Sequence, residues 1–422
     1  MIRKPDIEAW KDLRFGMFIH WGLYALVGTG EWAMYNDPID IDEYRSLMDR
    51  FTAENFDAAK WAKTAKAAGM KYMVLTTRHH DGFALWDSPS SYLQFDAMHS
   101  AAKRDFVREF VDAARAEELK VGFYYSPIDW RFPGFFFPRM YKKSADGLRT
   151  QTFAQIRELL TNYGKIDIFW FDGGEDYWLC HGRNLHNNSP STIENPQCPG
   201  FWHAEELDEM IRTLQPGIVI NNRYGARECG DYLTPEGYVG SFNVKEPWET
   251  NITFNGSWGY IPDWPPRSFR ESVTLLSQCA TGDGNMLLNV GPKPDGTFPE
   301  DQTERLYEIG AWLDVVGESI YGTRGGPWKN DRCGGMTWRG NTLYVHVWEW
   351  KRNRIRLPKL GVKVTALRAL TTDSLNWEEC DGQIAFSVDT EARNMPVTVV
   401  RIDLDRPVDS CCADIEGLWQ QS

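Results

Sequence analysis

The chain has 422 residues, 42% apolar and 25% charged, a mixture proper to folded globular proteins and a length too great for one ordinary core. A net charge of −13 and the absence of a dense Lys/Arg run argue against nucleic acid or an anionic membrane surface as partner. No apolar run reaches membrane-spanning length, and the opening MIRKPDIEAWKDLRFG lacks a leader's apolar stretch, so the compartment reads as cytoplasmic, or as periplasmic or secreted if a leader has been removed.

From residue 16 onward, short apolar runs alternate with amphipathic segments. Residues 16–22 (GMFIHWG) predict a first strand. Residues 55–69 predict a helix with Trp61, Ala65 and Ala68 on one face and Gly69 as its stop. A second strand follows at 72–77, a helix at 105–119 with Phe106, Phe110 and Ala113 on one face, and a third strand at 121–126. A helix at 152–164 leads into a fourth strand at 166–171, which ends abruptly in Asp172, Gly173 and Gly174. Glycine lets the backbone turn away at once and leaves the carboxylate at the strand's rim. A common Asp-Gly turn would look the same. A helix over 204–214, a strand over 217–223 and a faint sixth strand over 247–250 come next. A helix over 267–280, a strand over 285–291 and a helix over 300–316 complete the series.

This alternation predicts an α/β fold, a (β/α)8-like, TIM-type barrel over residues 1–326. The competing doubly wound sheet calls for a Gly-rich phosphate turn after the first strand, and HWGLYA is not one. After Tyr321 the texture changes. GTRGGPW is a linker, and TLYVHVW, KVTALRAL, QIAFSV and PVTVVRIDL alternate at period two, with Asp381-Gly382 as a hairpin signal. Residues 327–422 are therefore expected to form a C-terminal antiparallel β-sandwich. Two loops are long: 175–199 is polar, and 127–140 contains the aromatic WRFPGFFFPRM, either a substrate wall or a cover at a neighbour or oligomer contact. The eight cysteines show no CxxC spacing. Cys180 and Cys198 flank one loop and suit a bridge in an exported protein, but free thiols are the simpler expectation.

In a parallel barrel the strands' C-terminal ends face the active site. Here those ends carry His20 and Trp21, then Arg78, His79, His80 and Asp81, then Tyr124, Tyr125 and Ser126, then Trp170 and Asp172, then Asn221, Asn222 and Arg223. Glu31 and Trp32 follow soon after the first strand. One reading is a metal centre built from His20, His79, His80 and Asp172. Adjacent histidines on a continuing strand would point apart, and no His-x-His pair is present. The other reading is a sugar site, in which His, Glu, Arg and Tyr bond hydroxyls and Trp or Phe stacks on the ring. The residue mixture favours sugar, although the 19 Trp alone are more often core than site. Glycoside cleavage needs two carboxyls. Asp172 suits the nucleophile. Glu236 or Glu249, both placed in a loop after the fifth strand, suits the acid, with burial against aromatics raising its pKa. Glu31 and Glu175 are weaker candidates.

FGMFIHWGLYA, GEWAMYN, KYMVLTTRHHDGFALWDS, GFYYS, IFWFDGG, NNRYG, GSWGY and GNMLLNVGPKPDG with ESIYGTR keep their order from about residue 14 to 326, and the chain resembles the α-L-fucosidases of glycoside hydrolase family 29. The resemblance implies the barrel plus sandwich, a retaining mechanism and no metal or other cofactor. It places the nucleophile on Asp172. It places fucose-binding positions on His20, Glu31, Trp32, His79, His80, Tyr125, Trp170 and Arg223, with Trp258 beside the sugar's methyl group. The TPE glutamate Glu236 matches the acid/base best, with Glu249 as runner-up. The implied partner is a fucosylated oligosaccharide or glycoconjugate. A glycosidase for a related sugar such as α-L-galactose, or a catalytically silent fucose binder, are the alternatives.

Overall fold

A computed structural model describes residues 5–37, 39–174, 200–225, 230–351 and 353–407. The 175–199 loop, with Glu175, Cys180 and Cys198, lies outside the described residues.

Seven strands form a parallel sheet: β1 (Phe15–Ile19), β2 (Tyr72–Arg78), β3 (Lys120–Tyr125), β4 (Ile168–Phe171), β5 (Val219–Ile220), β6 (Glu249–Thr253) and β7 (Asn285–Val290). The order is β5-β4-β3-β2-β1-β7-β6, so the chain winds one way from β1 and returns on the other side. A doubly wound sheet is thereby excluded. The strands are buried on both faces, as their near-continuous apolar runs require. Six helices cover the outside: Ala58–Ala67, Phe106–Ala116, Lys142–Asn162, Ala204–Leu214, Phe269–Thr281 and Glu300–Val316. Their starts follow from local chemistry. Asp57 and Asp105 accept from the Lys60 and Arg108 amides, and Ser268 forms a capping box with Glu271.

The edges β5 and β6 do not pair directly. Residues 231–237, expected to be loop, run parallel between them. The Asp231 amide donates to Ile220, that of Leu233 to Pro247 and that of Gly237 to Asn251, while the Glu249 and Asn251 amides donate back to Leu233 and Pro235. This segment fills the eighth place of the barrel. The faint sixth strand lies slightly later than expected, at Glu249–Thr253, so Glu249 belongs to a strand and not to a loop.

Side chains alternating at period two fill the barrel: Phe18, Tyr72, Val74, Tyr124, Ile168, Trp170, Val219, Tyr232 and Leu287. Trp10, on the short helix Ile7–Lys11, closes the bottom with its ring 4.4 Å from that of Tyr232. The opposite, C-terminal end stays open.

Beyond the barrel, a five-stranded antiparallel sheet contains β8 (Arg324–Gly325), β9 (Gly334–Arg339), β10 (Thr342–Val347), β12 (Val364–Ala369) and β15 (Thr398–Leu404). A three-stranded sheet contains β11 (Ile355–Arg356), β13 (Leu375–Cys380) and β14 (Gln383–Val388). Met336, Val345, Phe386, Val400 and Ile402 share the core of this antiparallel unit. Asp381 and Gly382 both take positive φ between β13 and β14, the turn their sequence predicts. Tyr344 and Val399 instead join the barrel's outer core, so the larger sheet is anchored on the helices.

Candidate active site

The open end of the barrel holds a pocket, open to solvent on one side, at the place where ligands of this architecture bind. Ten expected site residues line it: His20, Glu31, Trp32, His79, His80, Trp170, Asp172, Arg223, Glu236 and Trp258. On two of the strands the placement follows parity. On β4, Ile168 and Trp170 face inward, so Asp172 does too. On β1, Phe18 faces inward and His20 follows it to the rim. Gly173 then takes φ +78°, and a side chain there would overlap Ile128. The turn after Asp172 thus requires glycine for both backbone and space.

Asp172 is held from two sides. The Tyr124 hydroxyl donates to its Oδ2 at 3.0 Å, and Arg223 Nη1 donates to its Oδ1 at 3.0 Å. The same Arg223 nitrogen donates to Glu236 at 2.7 Å. Two bonds on one nitrogen bring a carboxylate oxygen of Asp172 and one of Glu236 together at the mouth of the pocket. Burial opposes the charge of Arg223, but Asp172 and Glu236 outweigh it and raise its pKa. The guanidinium lies over the Trp170 ring, 4.8 Å from its centroid.

The three histidines are buried and neutral. Burial drives His20 and His80 down to about 3, and drives His79 well below its ordinary value with help from His80, His20 and Arg78. A neutral imidazole offers one donor and one acceptor, which matches a sugar hydroxyl. Nδ1 of His20 pairs with Asn289 Oδ1 at 2.6 Å and that of His80 with the Ser126 hydroxyl at 2.6 Å. Asn289 also donates to the Trp258 carbonyl, and Glu31 accepts from the Gly259 amide at 2.9 Å. Burial raises the pKa of Glu31. The Trp258 ring is thereby fixed 5.2 Å from His20 and 6.0 Å from Phe18.

Four expectations change. Tyr125 does not reach the pocket. It faces the helices, and its hydroxyl donates to Gln155 at 2.9 Å. Tyr124, one residue earlier, takes the inward place. Glu249 does not reach the pocket either. It lies fully buried beneath it, accepting from Tyr72 at 2.5 Å and Trp170 at 3.2 Å. Burial lifts Glu249 to about 7, the value wanted of an acid, yet geometry precedes pKa in choosing one. Glu236 shows the reverse: it is at the rim, its side chain 44% exposed, paired with Arg223 and not packed among aromatics as expected. Finally, β2 stops at Arg78, so the rings of His79 and His80 do not diverge as on a continuing strand but lie 4.1 Å apart at the same pocket. Donor atoms of His79, His80 and Asp172 come within 4.8 Å of one another. Arg223 already sets a positive charge against Asp172, where a metal ion would have to compete with it.

Sequence reasoning missed Phe18 and Asn251 in the lining, and of the two tyrosines at the end of the third strand it gave the sugar contact to Tyr125 instead of Tyr124. Phe18 had a usable signal, since it lies two residues before His20 on the same strand, whereas Asn251 lies beyond the sixth strand as the sequence placed it.

The α-L-fucosidase family model matches residues 2–318. Plasma α-L-fucosidase of Homo sapiens is 31% identical over 374 residues, covering 79% of this chain and 73% of that protein. Tissue α-L-fucosidase of Bos taurus is 29% identical over 385 residues, covering 82% and 75%. Among solved structures, α-L-fucosidase isoenzyme 1 from Paenibacillus thiaminolyticus superposes with a TM-score of 0.82 at 34% identity, covering 94% of this chain and 98% of that one. A family 29 α-L-fucosidase from Bacteroides thetaiotaomicron, trapped as a covalent intermediate with 2-fluoro-fucosyl fluoride, gives 0.82 at 27% identity, covering 96% and 97%. Barrel, sandwich and these likenesses define a glycoside hydrolase. Within that class, the chain belongs to the α-L-fucosidases of glycoside hydrolase family 29.

Proposed function

We propose that the protein is a retaining α-L-fucosidase, with Asp172 as nucleophile and Glu236 as acid/base. The observation that carries this reading is the single Arg223 nitrogen bonded to both carboxylates at the pocket mouth. Asp172 attacks C1 of fucose and the C1–O bond to the leaving group breaks. Glu236 gives its proton to the departing oxygen. Glu236 then takes a proton from water as that water attacks C1, which frees Asp172 and returns the original stereochemistry. Arg223 and Tyr124 aim the Asp172 lone pairs. His20, His79, His80 and Glu31 bond the hydroxyls, Trp32 forms a wall, Trp170 forms the floor, and Trp258 with Phe18 covers the methyl group. The substrate is a terminal α-L-fucoside on an oligosaccharide or glycoconjugate. We take residues 1–326 as the catalytic unit and 327–422 as the supporting one, with the short strand Arg324–Gly325 already part of the second unit's sheet.

Turnover of an aryl α-L-fucoside by variants tests the roles. Asp172→Ala should lose at least about 10³-fold in kcat; near-normal turnover ends the nucleophile assignment. Glu236→Gly should regain activity with azide and yield a fucosyl azide. Rescue of Glu249→Gly, with Glu236→Gly behaving as wild type, would transfer the acid role to Glu249.

A further inference from the structure

Glu249 is a fully buried carboxyl that this chemistry leaves unused. It projects from β6 into the barrel, and its two oxygens reach across to two other strands. Oε1 accepts the Trp170 indole N–H from β4, and Oε2 accepts the Tyr72 hydroxyl from β2. Trp170 is the floor on which the reacting groups stand. Arg223 lies over its ring at 4.8 Å, and Tyr124 stacks against it at 5.8 Å with an interplanar angle of 18°. These are the two residues that bond Asp172, one to each oxygen. The indole N–H is the polar handle by which that ring can be turned or held, and Glu249 holds it.

We propose that Glu249 is a positioning residue for glycoside cleavage: by fixing the indole of Trp170 it sets the plane on which Arg223 and Tyr124 lie, and through them the direction of Asp172. The proposal rests on the fucosidase reading and gives a role to a residue outside the pocket. A small tilt of the indole shifts both donors on the nucleophile together, and displacements of this kind are costly to rate.

The protonation of Glu249 matters to this role. As a carboxylate it accepts from Tyr72 and Trp170 at once; once protonated it must donate one bond and gives up an acceptor. The groups facing it are the Tyr72 hydroxyl on β2, the Trp170 indole on β4, the Tyr232 hydroxyl on the segment 231–237, and the Cys279 thiol on the helix Phe269–Thr281. Burial lifts the carboxyl to about 7, and the hydrogen bonds work in the other direction.

The test compares Glu249→Met, Glu249→Gln, Trp170→Phe and the Trp170→Phe/Glu249→Met double variant on an aryl α-L-fucoside, with thermal unfolding alongside. Glu249→Met should fold and lose about 30–100-fold in kcat with KM little changed. The double variant should be no slower than the slower single, because both changes act through one ring. A folded Glu249→Met within about twofold of wild-type kcat, or losses that multiply in the double variant, overturns the proposal. If Glu249→Met does not fold, the isosteric Glu249→Gln decides. Wild-type kcat/KM should fall toward acid through an ionisation near pH 7 that this variant lacks, and an identical acid limb in both overturns it. Wild-type enzyme that ignores the fucoside but cleaves another aryl glycoside refutes the fucosidase reading alone, and the same variants then judge Glu249 on that glycoside.

Discussion

Tyr124 and Tyr125 are neighbours in sequence but lie on opposite sides of the barrel wall. Tyr124 bonds Asp172, whereas Tyr125 bonds Gln155 on an outer helix. In the run VGFYY both faces are apolar or aromatic, so the sequence carries no sign of which tyrosine points inward. Parity had to come from strand pairing, in which Tyr124 lies level with Trp170. A hydrogen bond to a charged group is worth roughly 1.5–3 kcal/mol, so Tyr124→Phe should lower kcat/KM about 10–100-fold. Tyr125→Phe should leave kcat/KM within about twofold and cost about 1 kcal/mol of stability. Equal kinetic losses in both variants would contradict the placement. The two glutamates pose a similar problem. TPEG and PWET give no hint of depth, yet one places its carboxyl at the rim and the other below the floor.

At the scale of elements, the strands with continuous apolar runs were legible, and so were helices marked by an Asp or Ser cap. The eighth place of the barrel was not. Residues 231–237 read DYLTPEG, with a proline, a glycine and three polar side chains, which is turn chemistry by composition. Their extended path is imposed from outside by hydrogen bonds from β5 and β6, a tertiary choice that local propensity cannot display. Gly173 was legible as a turn, though not for its second reason, the Ile128 side chain packed where a Cβ would be. Gly173→Ala should cost about 2 kcal/mol or more from the positive φ alone and also lower kcat by displacing Asp172. Shortening Ile128 to Ala in that background should recover part of the stability but not all. Full recovery would mean that the backbone conformation is not strained.

For the whole molecule, the buried Glu249 links proton binding to folding. Its ordinary value is 4.5 and burial raises it to about 7. Below about pH 4.5 the folded and unfolded states both hold the proton, and the group has no effect. As the pH climbs, the unfolded carboxyl ionises first while the folded one keeps its proton, so stability falls until about pH 7 and is then level. Glu249→Gln removes this loss. Its stability relative to wild type should rise between pH 4.5 and 7 by an amount on the order of 3 kcal/mol. Urea unfolding at several pH values measures it, and a difference that ignores pH refutes the linkage. The neutral imidazoles have a consequence of another kind. His20, His79 and His80 bring no charge to the pocket, so the guanidinium of Arg223 faces the carboxyl groups of Asp172, Glu236 and Glu31 among its lining residues. Arg223 offers a single positive charge to the Asp172 and Glu236 carboxyls that it bonds, at a pocket mouth where the Glu236 side chain is 44% exposed. A ring-shaped inhibitor with a protonated nitrogen at the anomeric position would complete the charge balance, whereas an uncharged fucose of the same outline would not. Inhibitor affinity should therefore weaken as salt screens that attraction, and the affinity of the free sugar should respond much less.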